Sequence, residues 1–281
     1  DHPRAIYPAQ ITKVESSMNM NAELLDRVVE ISVDAGSKIL EVYETDFSVE
    51  HKDDKSPLTA ADMAAHHAIV DGLHELTPDI PILSEESASI PYDTRRQWHT
   101  YWLVDPLDGT REFVKRNGEF TVNIALIEGS QTRMGVVYAP VLDVTYAASE
   151  GEGAWKQQDE GDRQVIHTRQ FAAGCPTVAG SRSHRGDSLN SFLHKLGEHE
   201  LISMGSSLKM CLVAEGVADV YPRFGLTSEW DTAAAQAIVE AAGGQLVTLD
   251  MQPMRYNTKD SLLNPEFMAI GDMSYNWSAL L

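Results

Sequence analysis

The sequence predicts an α/β protein built from two lobes, an α+β N-terminal lobe and an α/β C-terminal lobe. Three patterns indicate this architecture: two segments with helical spacing of apolar residues come first, short strands separated by turn residues follow, and strands alternate with helices beyond residue 168. The 281 residues suffice for one large domain or two closely packed ones. We therefore expect one lobe over residues 20–168, a second over residues 169–281, and an extension with little fixed structure over residues 1–19.

Two helices are predicted at the start of the first lobe. Apolar residues between Leu24 and Val42 recur at helical spacing, which predicts one long helix over residues 21–43. A second helix is predicted to begin at Thr59, a residue type that caps helices, and to end before Pro78.

The strands are predicted from short apolar runs bounded by turn residues. In the first lobe they are expected at residues 80–83, 101–104, 121–127, 135–138 and 144–147. In the second lobe, strands at 176–179, 218–221 and 245–248 alternate with helices at 188–196, 206–215 and 231–242. Alternation of this kind is typical of an α/β lobe.

The composition limits the classes of partner. The formal net charge of −20 repels a nucleic-acid backbone, so the sequence argues against a DNA- or RNA-binding protein. A small phosphorylated substrate is compatible with this charge if cations lie between the protein and the phosphate. No apolar run approaches the roughly 18 residues of a membrane span, and the N-terminus lacks the pattern of a secretory signal. We therefore expect a cytoplasmic protein in which Cys175 and Cys211 are reduced.

The segment from Asp105 to Thr110 is the most informative for chemistry. A buried strand is predicted to end on Asp105, and Asp108 follows three residues later, so the turn between them can direct both carboxylates to one point. Such a pair suits Mg2+, which commonly takes one or two carboxylates and leaves its other positions to water and phosphate. Gly109 permits close approach of the backbone, and the amides of Gly109 and Thr110 can form an anion-binding turn. The alternative is an ordinary surface turn of the Asp-Pro-x-Asp-Gly type.

Three further acidic segments lie at the ends of predicted elements. Glu85 and Glu86 follow a predicted strand, Asp62 lies in the first turn of the second helix, and Asp231 begins another helix. Each Asp in a first helical turn has a second explanation, which is a favourable interaction with the helix dipole. Because four acidic segments flank otherwise apolar elements, we expect them to converge on one metal site.

The chain resembles the inositol monophosphatase superfamily of lithium-sensitive, Mg2+-dependent phosphatases. Four segments carry the resemblance, in this order: TAAD at 59–62, Glu85-Glu86, DPLDGT at 105–110 and Trp230-Asp231. It extends over residues 21–268 and is closest to the CysQ-type 3'(2'),5'-bisphosphate nucleotidases. The motifs of that branch are YWLVDPLDGTREF at 101–113, KRNGEFTVNIAL at 115–126, SRSH at 181–184, GSSLK at 205–209 and YPRFG at 221–225.

The resemblance implies a layered αβαβα sandwich of the sugar-phosphatase type, with two or three Mg2+ ions in the active site. The implied metal ligands are the side chains of Glu85, Asp105, Asp108 and Asp231 and the backbone carbonyl of Leu107. The resemblance further implies that Thr110, paired with Asp62, orients the attacking water, and it places Glu85 in the catalytic set as well.

The resemblance also implies the substrate contacts. The nucleotide would meet His184, Ser206, Lys209 and Arg223. The phosphate to be removed would lie at Glu85, Leu107, Asp108 and Asp231, and at the donors Gly109 and Thr110. From the residues alone, Lys209 would be a solvated helix lysine, and His184 a loop histidine that caps the next helix. Tyr221 and Phe224 either line the pocket for the base or pack in the core.

Arg111, Lys115 and Arg116 form a basic cluster beside the expected metal site. This cluster either attracts an anionic substrate or belongs to an ordinary solvated loop.

By resemblance, the expected reaction is hydrolysis of the 3'-phosphate of 3'-phosphoadenosine 5'-phosphate to AMP and phosphate. Action on 3'-phosphoadenosine 5'-phosphosulfate and a role in sulfur assimilation are implied as well. The partner is then a small-molecule nucleotide bisphosphate, and any contact with the inner face of the membrane would be peripheral. Two alternatives stay open: an inositol monophosphatase-like enzyme with the same metal motifs, and an inactive phosphonucleotide-binding protein. Every acidic position and Thr110 are present, which argues against the inactive protein. The sequence predicts no oligomeric state.

Overall fold

The computed structural model describes residues 11–45, 56–171, 174–181 and 186–281. Two β-sheets organise this part of the chain. The first sheet has seven strands in chain order: β1 Ile82–Ser84, β2 Thr100–Asp108, β3 Thr121–Glu128, β4 Gln131–Ala139, β5 Val144–Ser149, β6 Gly153–Gln158 and β7 Gln164–Ile166. β1 pairs in parallel with β2, and each later pair of neighbours is antiparallel.

The second sheet comes from the C-terminal part of the chain. Its strands are β8 Thr177–Gly180, β9 Glu200–Ser203, β10 Val220–Arg223, β11 Gln245–Thr248 and β12 Phe267–Ile270, and their spatial order is β11-β12-β10-β8-β9. The α-helices in the described ranges are α1 Ile11–Tyr43, α2 Pro57–Leu76, α3 Tyr92–Arg95, α4 Thr110–Lys115, α5 Asp187–Leu196, α6 Leu208–Ala214 and α7 Glu229–Ala241. Short 3-10 helices at Glu85–Ser87 and Trp277–Leu280 complete the list.

Alternation along the strands divides the molecule into five layers. In β2, Trp102 and Val104 face a core formed with α1 and α2, whereas Tyr101 and Leu103 face a second core formed with α6 and α7. The second sheet closes that second core with one face and packs its other face on α5. The order of layers confirms the predicted αβαβα sandwich.

Helix α7 belongs to the C-terminal part of the chain but packs against the first sheet. Gly135 in β4 makes this contact possible, because a Cβ at that position would lie 2.2 Å from the backbone oxygen of Ala234 in α7. A larger residue would push the helix away from the strand. The two predicted lobes therefore share one hydrophobic core, although each contributes its own sheet.

Several predicted boundaries need correction. The first helix begins at Ile11 instead of residue 21, so the part of the predicted extension after residue 10 is helical; it contains neither Gly nor Pro. The second helix begins at Pro57, and its cap is Ser56, whose Oγ accepts a hydrogen bond from the Thr59 N–H at 3.1 Å. Thr59 is thus not the cap, because Pro57 already supplies a favourable first helical residue.

Four strands were missed: β6, β7, β9 and β12. The first three are short and partly exposed, so their side chains do not form an apolar run. β12 is apolar and buried, but four residues are too few to distinguish a strand from other buried structure by periodicity.

None of the helices in the described ranges has the length together with the apolar character needed to cross a membrane. Cys175 is exposed, Cys211 is buried in α6, and both are free cysteines.

Candidate active site

Residues 105–108 form an irregular part of β2, which continues to Asp108 instead of ending on Asp105 as predicted. The pairing with β3 shifts register between these two residues, and β1 pairs only with the preceding part of β2. Pro106 therefore lies where its missing N–H removes no bond to β1. The Leu107 N–H donates to Asp105 Oδ1 at 3.2 Å. Both carboxylates thus extend from one rigid strand.

Asp231 reaches the same place from the C-terminal part of the chain. Ser228 caps α7, and its N–H donates to Asp231 Oδ2 at 2.7 Å within a capping box. Asp231 therefore does stabilise the N-terminus of α7, but this role does not account for everything that its carboxylate contacts. One carboxylate oxygen each of Asp105, Asp108 and Asp231 lie within 4.8 Å of one another, a proximity that helix capping does not require.

Glu85, in the 3-10 turn directly after β1, joins these residues, and we call Glu85, Asp105, Asp108 and Asp231 the carboxylate cluster. The interaction between the Asp105 and Glu85 carboxyls raises the pKa of Asp105 and opposes the effect of burial on the pKa of Glu85. Burial raises the pKa of Asp105 well above its usual value, and the charges of Glu85, Asp108 and Asp231 raise it further. Burial and the charge of Asp231 raise the pKa of Asp108 to about 6.

The carboxylate cluster fits a hard divalent cation. Burial also raises the pKa values of Glu85 and Asp231, so all four carboxyls resist ionisation together. Buried like charges are stable only when protons or cations compensate them. Oxygen donors at this separation are the ligands that Mg2+ takes in proteins.

Asp62 lies beside the cluster in α2. Because the helix begins at Pro57, Asp62 is in the second turn instead of the first, which weakens the explanation by the helix dipole. Its Oδ1 is buried and has no hydrogen-bond partner among the described residues. Burial, followed by the charges of Glu86 and Glu85, raises the pKa of Asp62 to about 8. A carboxyl in this environment can exchange a proton near neutral pH.

Gly109 joins β2 to α4, and Thr110 is the first residue of that helix. The φ of Gly109 is +92°, in the left-handed region that favours glycine. A Cβ there would lie 3.2 Å from Ser206 Cβ and 3.3 Å from Phe120 Cα. Glycine is therefore required both by the backbone conformation and by the close approach of the chain.

A cavity of about 270 Å³ opens beside the carboxylate cluster. Seven of the predicted site residues line it: Asp108, Gly109, Thr110, Ser206, Lys209, Arg223 and Asp231. Asp105 and Leu107 are buried and do not line it, and neither do Glu85 and Asp62. His184 lies outside the described residues.

One side of the cavity is formed by Ser206, Lys209 and Arg223, which we call the cationic wall. Lys209 is only 7% exposed, and its Nζ lies 5.4 Å from the ring centroid of Tyr221, so the interpretation as a solvated helix lysine is wrong. Arg223 Nη2 donates to the Leu226 carbonyl at 3.2 Å.

The cationic wall retains hydrogen-bonding capacity. Ser206 Oγ and Arg223 Nε are buried and have no hydrogen-bond partner within the described ranges. Buried donors are normally satisfied by protein, water or ligand. Two donors beside a buried lysine form a suitable site for an anion such as phosphate.

Sequence reasoning missed two residues that anchor Asp108. The N–H and Oγ of Ser207 each donate to Asp108 Oδ2 at 2.8 Å, and Asn123 Nδ2 donates to Ser207 Oγ at 2.7 Å. These bonds stabilise the ionised form of Asp108 against burial. The available signals were the place of Ser207 next to Ser206 and the occurrence of an amide in the otherwise apolar strand β3.

The predicted basic cluster does not act as a unit. Arg111 lines the cavity. Arg116 instead donates to the Tyr43 carbonyl at 2.7 Å and lies 4.6 Å from the Tyr43 ring centroid, where it holds the end of α1. Lys115 is in the last turn of α4 and does not line the cavity.

Tyr221 packs edge-on against Phe267 in the core, as one of its two explanations has it. It also lines the cavity, and its contact with the base stays a prediction. Phe224 packs on Phe192 and lines an adjoining cavity together with Tyr221, Arg223 and Ser181.

Comparison with known proteins assigns this arrangement to a family. The model of the inositol monophosphatase family matches residues 20–273. The 3'(2'),5'-bisphosphate nucleotidase CysQ of Salmonella typhimurium is 53% identical over 246 residues, which cover 87% of this chain and 98% of that protein. The crystal structure of CysQ from Bacteroides thetaiotaomicron superposes with a TM-score of 0.81 at 45% identity, covering 89% of this chain and 97% of that one. An inositol monophosphatase from Zymomonas mobilis has the same fold, with a TM-score of 0.74 at 23% identity over 92% of this chain and 96% of its own.

Proposed function

The chain belongs to the inositol monophosphatase family, and from this premise we propose that it is a metal-dependent 3'(2'),5'-bisphosphate nucleotidase. It hydrolyses the 3'-phosphate of 3'-phosphoadenosine 5'-phosphate to give AMP and phosphate. The observation that carries the proposal is one cavity that is lined both by Asp108 and Asp231 of the carboxylate cluster and by the cationic wall. A substrate with two phosphates can place one at each side.

The carboxylate cluster and the Leu107 carbonyl are proposed to hold two or three Mg2+ ions. Bound Mg2+ neutralises charge on the transferred phosphate and lowers the pKa of water from about 15.7 towards neutrality. The protein contributes rigid positions for the ligands: β2 holds Asp105 and Asp108, and the capping box of α7 holds Asp231. Ser207 fixes the carboxylate of Asp108 in one orientation.

Asp62 and Thr110 are proposed to orient the attacking water and to accept its proton. The Thr110 hydroxyl orients the water, and the buried Asp62 carboxylate accepts its proton. The water oxygen forms a bond to phosphorus while the bond from phosphorus to the 3'-oxygen breaks in line with it. The departing 3'-oxygen takes a proton from solvent to become the 3'-hydroxyl of AMP, and Asp62 returns its proton to solvent. The backbone amides that follow Gly109 at the start of α4 donate to the transferred phosphate.

The retained 5'-phosphate is proposed to bind the cationic wall. Lys209 supplies a buried positive charge, and Ser206 Oγ and Arg223 Nε supply donors that the described residues leave unsatisfied. The base then lies towards Tyr221 and Phe224, where the adjoining cavity opens. His184 is proposed to contact the nucleotide as well.

The proposed substrate range includes 3'-phosphoadenosine 5'-phosphosulfate, because its 5' group also presents anionic oxygens to the cationic wall. The proposed setting is nucleotide recycling during sulfur assimilation in the cytoplasm, with at most peripheral contact with the inner membrane face.

Phosphate release from three substrates in saturating Mg2+ tests this function: 3'-phosphoadenosine 5'-phosphate, inositol 1-phosphate and fructose 1,6-bisphosphate. We expect kcat/KM for the nucleotide to exceed that for inositol 1-phosphate by about 100-fold, because charge-assisted hydrogen bonds to the retained phosphate contribute about 1.5–3 kcal/mol each. Fructose 1,6-bisphosphate also retains a phosphate, so the expected preference over it depends on the base, which only the nucleotide offers to Tyr221 and Phe224. A preference for inositol 1-phosphate would contradict the nucleotidase assignment. Calorimetric binding of the nucleotide without turnover would instead indicate an inactive binding protein.

A further inference from the structure

The segment that follows β11 holds the first turn of α7. The Glu229 N–H donates to the Leu262 carbonyl at 2.9 Å, which satisfies one of the free donors at the start of the helix. Asn264 Nδ2 donates to the Ser228 carbonyl at 2.9 Å and to Thr232 Oγ1 at 2.9 Å. The start of α7 is thus fixed by contacts that do not belong to the helix itself.

Glu229, the first residue of α7, makes the most unusual of these contacts. Its carboxylate is 1% exposed, and it points towards the 257–264 segment instead of the substrate cavity. The Asn257 N–H donates to Glu229 Oε1 at 2.8 Å, and Lys259 Nζ lies 3.7 Å from Glu229 Oε2. A buried carboxylate is normally costly, so its retention at this position requires an explanation.

Arg95 in α3 fixes Asn257 from the N-terminal part of the chain. Arg95 Nη1 donates to Asn257 Oδ1 at 2.6 Å, and Asn257 Nδ2 donates back to the Arg95 carbonyl at 2.6 Å. Asn257 has a φ of +57°, in the left-handed region, and this reciprocal pair holds it there. Arg95 is itself 2% exposed and also donates to the carbonyls of Lys259 and Asp260.

We propose that the Arg95–Asn257–Glu229 chain of hydrogen bonds is a positioning device for Asp231. It joins α3 to the first turn of α7, and Asp231 lies two residues after Glu229 in that same turn. Its hydrogen bonds fix how the first turn of α7 is rotated about the helix axis and where it lies along that axis. They therefore fix the direction in which the Asp231 carboxylate points towards Asp105 and Asp108. The inference rests on the proposed function only in taking Asp231 as a metal ligand.

Glu229→Ala tests this device, because it removes the acceptor for the Asn257 N–H. We expect a roughly tenfold weaker affinity for Mn2+, measured by titration of the purified full chain with electron paramagnetic resonance detection, since residues that orient metal ligands typically affect affinity 10–100-fold. The Mg2+ concentration for half-maximal turnover should rise by a similar factor, while KM for the nucleotide at saturating Mg2+ should stay within about twofold. Glu229→Gln keeps an acceptor oxygen and should bind Mn2+ within about threefold of the native protein.

Gln236→Ala is the matched control. Gln236 is also buried in α7, where it accepts from the Tyr256 hydroxyl at 2.5 Å and donates to the Met254 carbonyl at 3.1 Å. Its loss should lower Tm at least as much as Glu229→Ala, with Mn2+ affinity unchanged. If Glu229→Ala does not fold, Arg95→Lys removes the guanidinium bonds to Asn257 Oδ1 and to the carbonyls of Lys259 and Asp260, and should weaken Mn2+ binding at least threefold.

Native Mn2+ affinity in a folded Glu229→Ala or Arg95→Lys protein would overturn the proposal. Equal loss of affinity in Gln236→Ala would do so as well, since it would indicate general loosening of the helix. The titration needs no substrate, so a native protein that binds Mn2+ but releases no phosphate from the nucleotide contradicts the proposed reaction alone.

Discussion

The carboxylate cluster, through Asp108 and Asp231, and the cationic wall line one cavity but are stabilised in opposite ways. The cluster brings four like charges together, and burial raises the pKa values of its members. The wall instead holds a buried lysine and two donors that have no hydrogen-bond partner in the part of the chain that the structure describes. A ligand of opposite charge can therefore stabilise each region: cations compensate the carboxylate cluster, and a phosphate satisfies the cationic wall.

The two regions also differ in how the chain builds them. The cluster draws on β2, the turn after β1 and the start of α7, so it forms only when the whole sandwich has assembled. The wall comes from the single stretch between Ser206 and Arg223, which contains α6 and β10, the central strand of the second sheet. We therefore propose that the cluster determines the reaction, whereas the wall determines which phosphorylated molecule is accepted.

The largest expected effect is at the cluster. Asp108→Asn should lower kcat at least 1000-fold, about 4 kcal/mol in transition-state stabilisation, because it removes the charge of a proposed metal ligand. The fold should persist, and Tm of the protein prepared without metal should be unchanged or higher, since the substitution relieves repulsion with Asp231. Phosphate release and thermal unfolding measure the two outcomes.

Retention of more than a tenth of the native kcat would contradict the role of Asp108 as a metal ligand. A strongly lowered Tm would indicate that the bonds from Ser207 to Asp108 matter for folding more than for catalysis.

A smaller and more selective effect is expected at the wall. Lys209→Met removes the charge but keeps a long apolar side chain beside Tyr221. In saturating Mg2+ we expect kcat/KM for 3'-phosphoadenosine 5'-phosphate to fall about 30-fold, or about 2 kcal/mol, because one charge-assisted bond to the retained phosphate is lost. Hydrolysis of inositol 1-phosphate, which has no second phosphate, should change by less than about threefold.

Lys195→Met serves as the matched control, because Lys195 is exposed in α5 and donates to the Leu281 carbonyl away from the cavity. It should leave both rates unchanged. Equal losses on both substrates in Lys209→Met would indicate that Lys209 acts through the carboxylate cluster, where its charge lowers the pKa of Asp108.

The same two regions differ in how far the sequence predicts them. The acidic segments could be found because each lies beside an apolar run, and the motifs shared with the family fixed the layered fold. The distances could not be found, because the approach of Asp231 to β2 depends on Gly135 accommodating α7 from another part of the chain. Local patterns also misplaced Asp62 within its helix, since Pro57 and Ser56 were not recognised as its start.

The wall was less predictable. Nothing in the residues near Lys209 distinguishes a solvated helix lysine from a buried one, because its burial depends on residues distant in the chain, among them Tyr221 of β10. Ser207 and Asn123 were missed for the same reason: their partner, Asp108, is distant in the chain from Ser207 and lies on the neighbouring strand from Asn123.

The smallest expected effect concerns the coupling of protons and cations in the cluster. An acid whose pKa is raised in the folded state stabilises that state while protonated, and this contribution is lost as the pH rises from its unfolded pKa through its folded pKa. For Asp108 that window runs from 3.8 to about 6. Its contribution to the stability of protein without metal should therefore decrease across this window. Cation binding requires the ionised carboxylates, so it should become stronger over the same range.

The increase in Tm caused by a fixed concentration of Mg2+ is the quantity that isolates this coupling, because titrating groups outside the carboxylate cluster affect the samples with and without Mg2+ alike. We expect this increase to be larger at about pH 7.5 than at about pH 5 by a few degrees, or about 1 kcal/mol for a protein of this size. Asp108→Asn should reduce the difference between the two pH values, since it removes one of the protons that Mg2+ displaces. Lys209→Met should preserve it or shift it to higher pH, because the loss of the lysine charge raises the pKa of Asp108 further. An Mg2+ effect that is equal at both pH values would mean that cations bind outside the carboxylate cluster, and the contrast between the two regions would no longer hold.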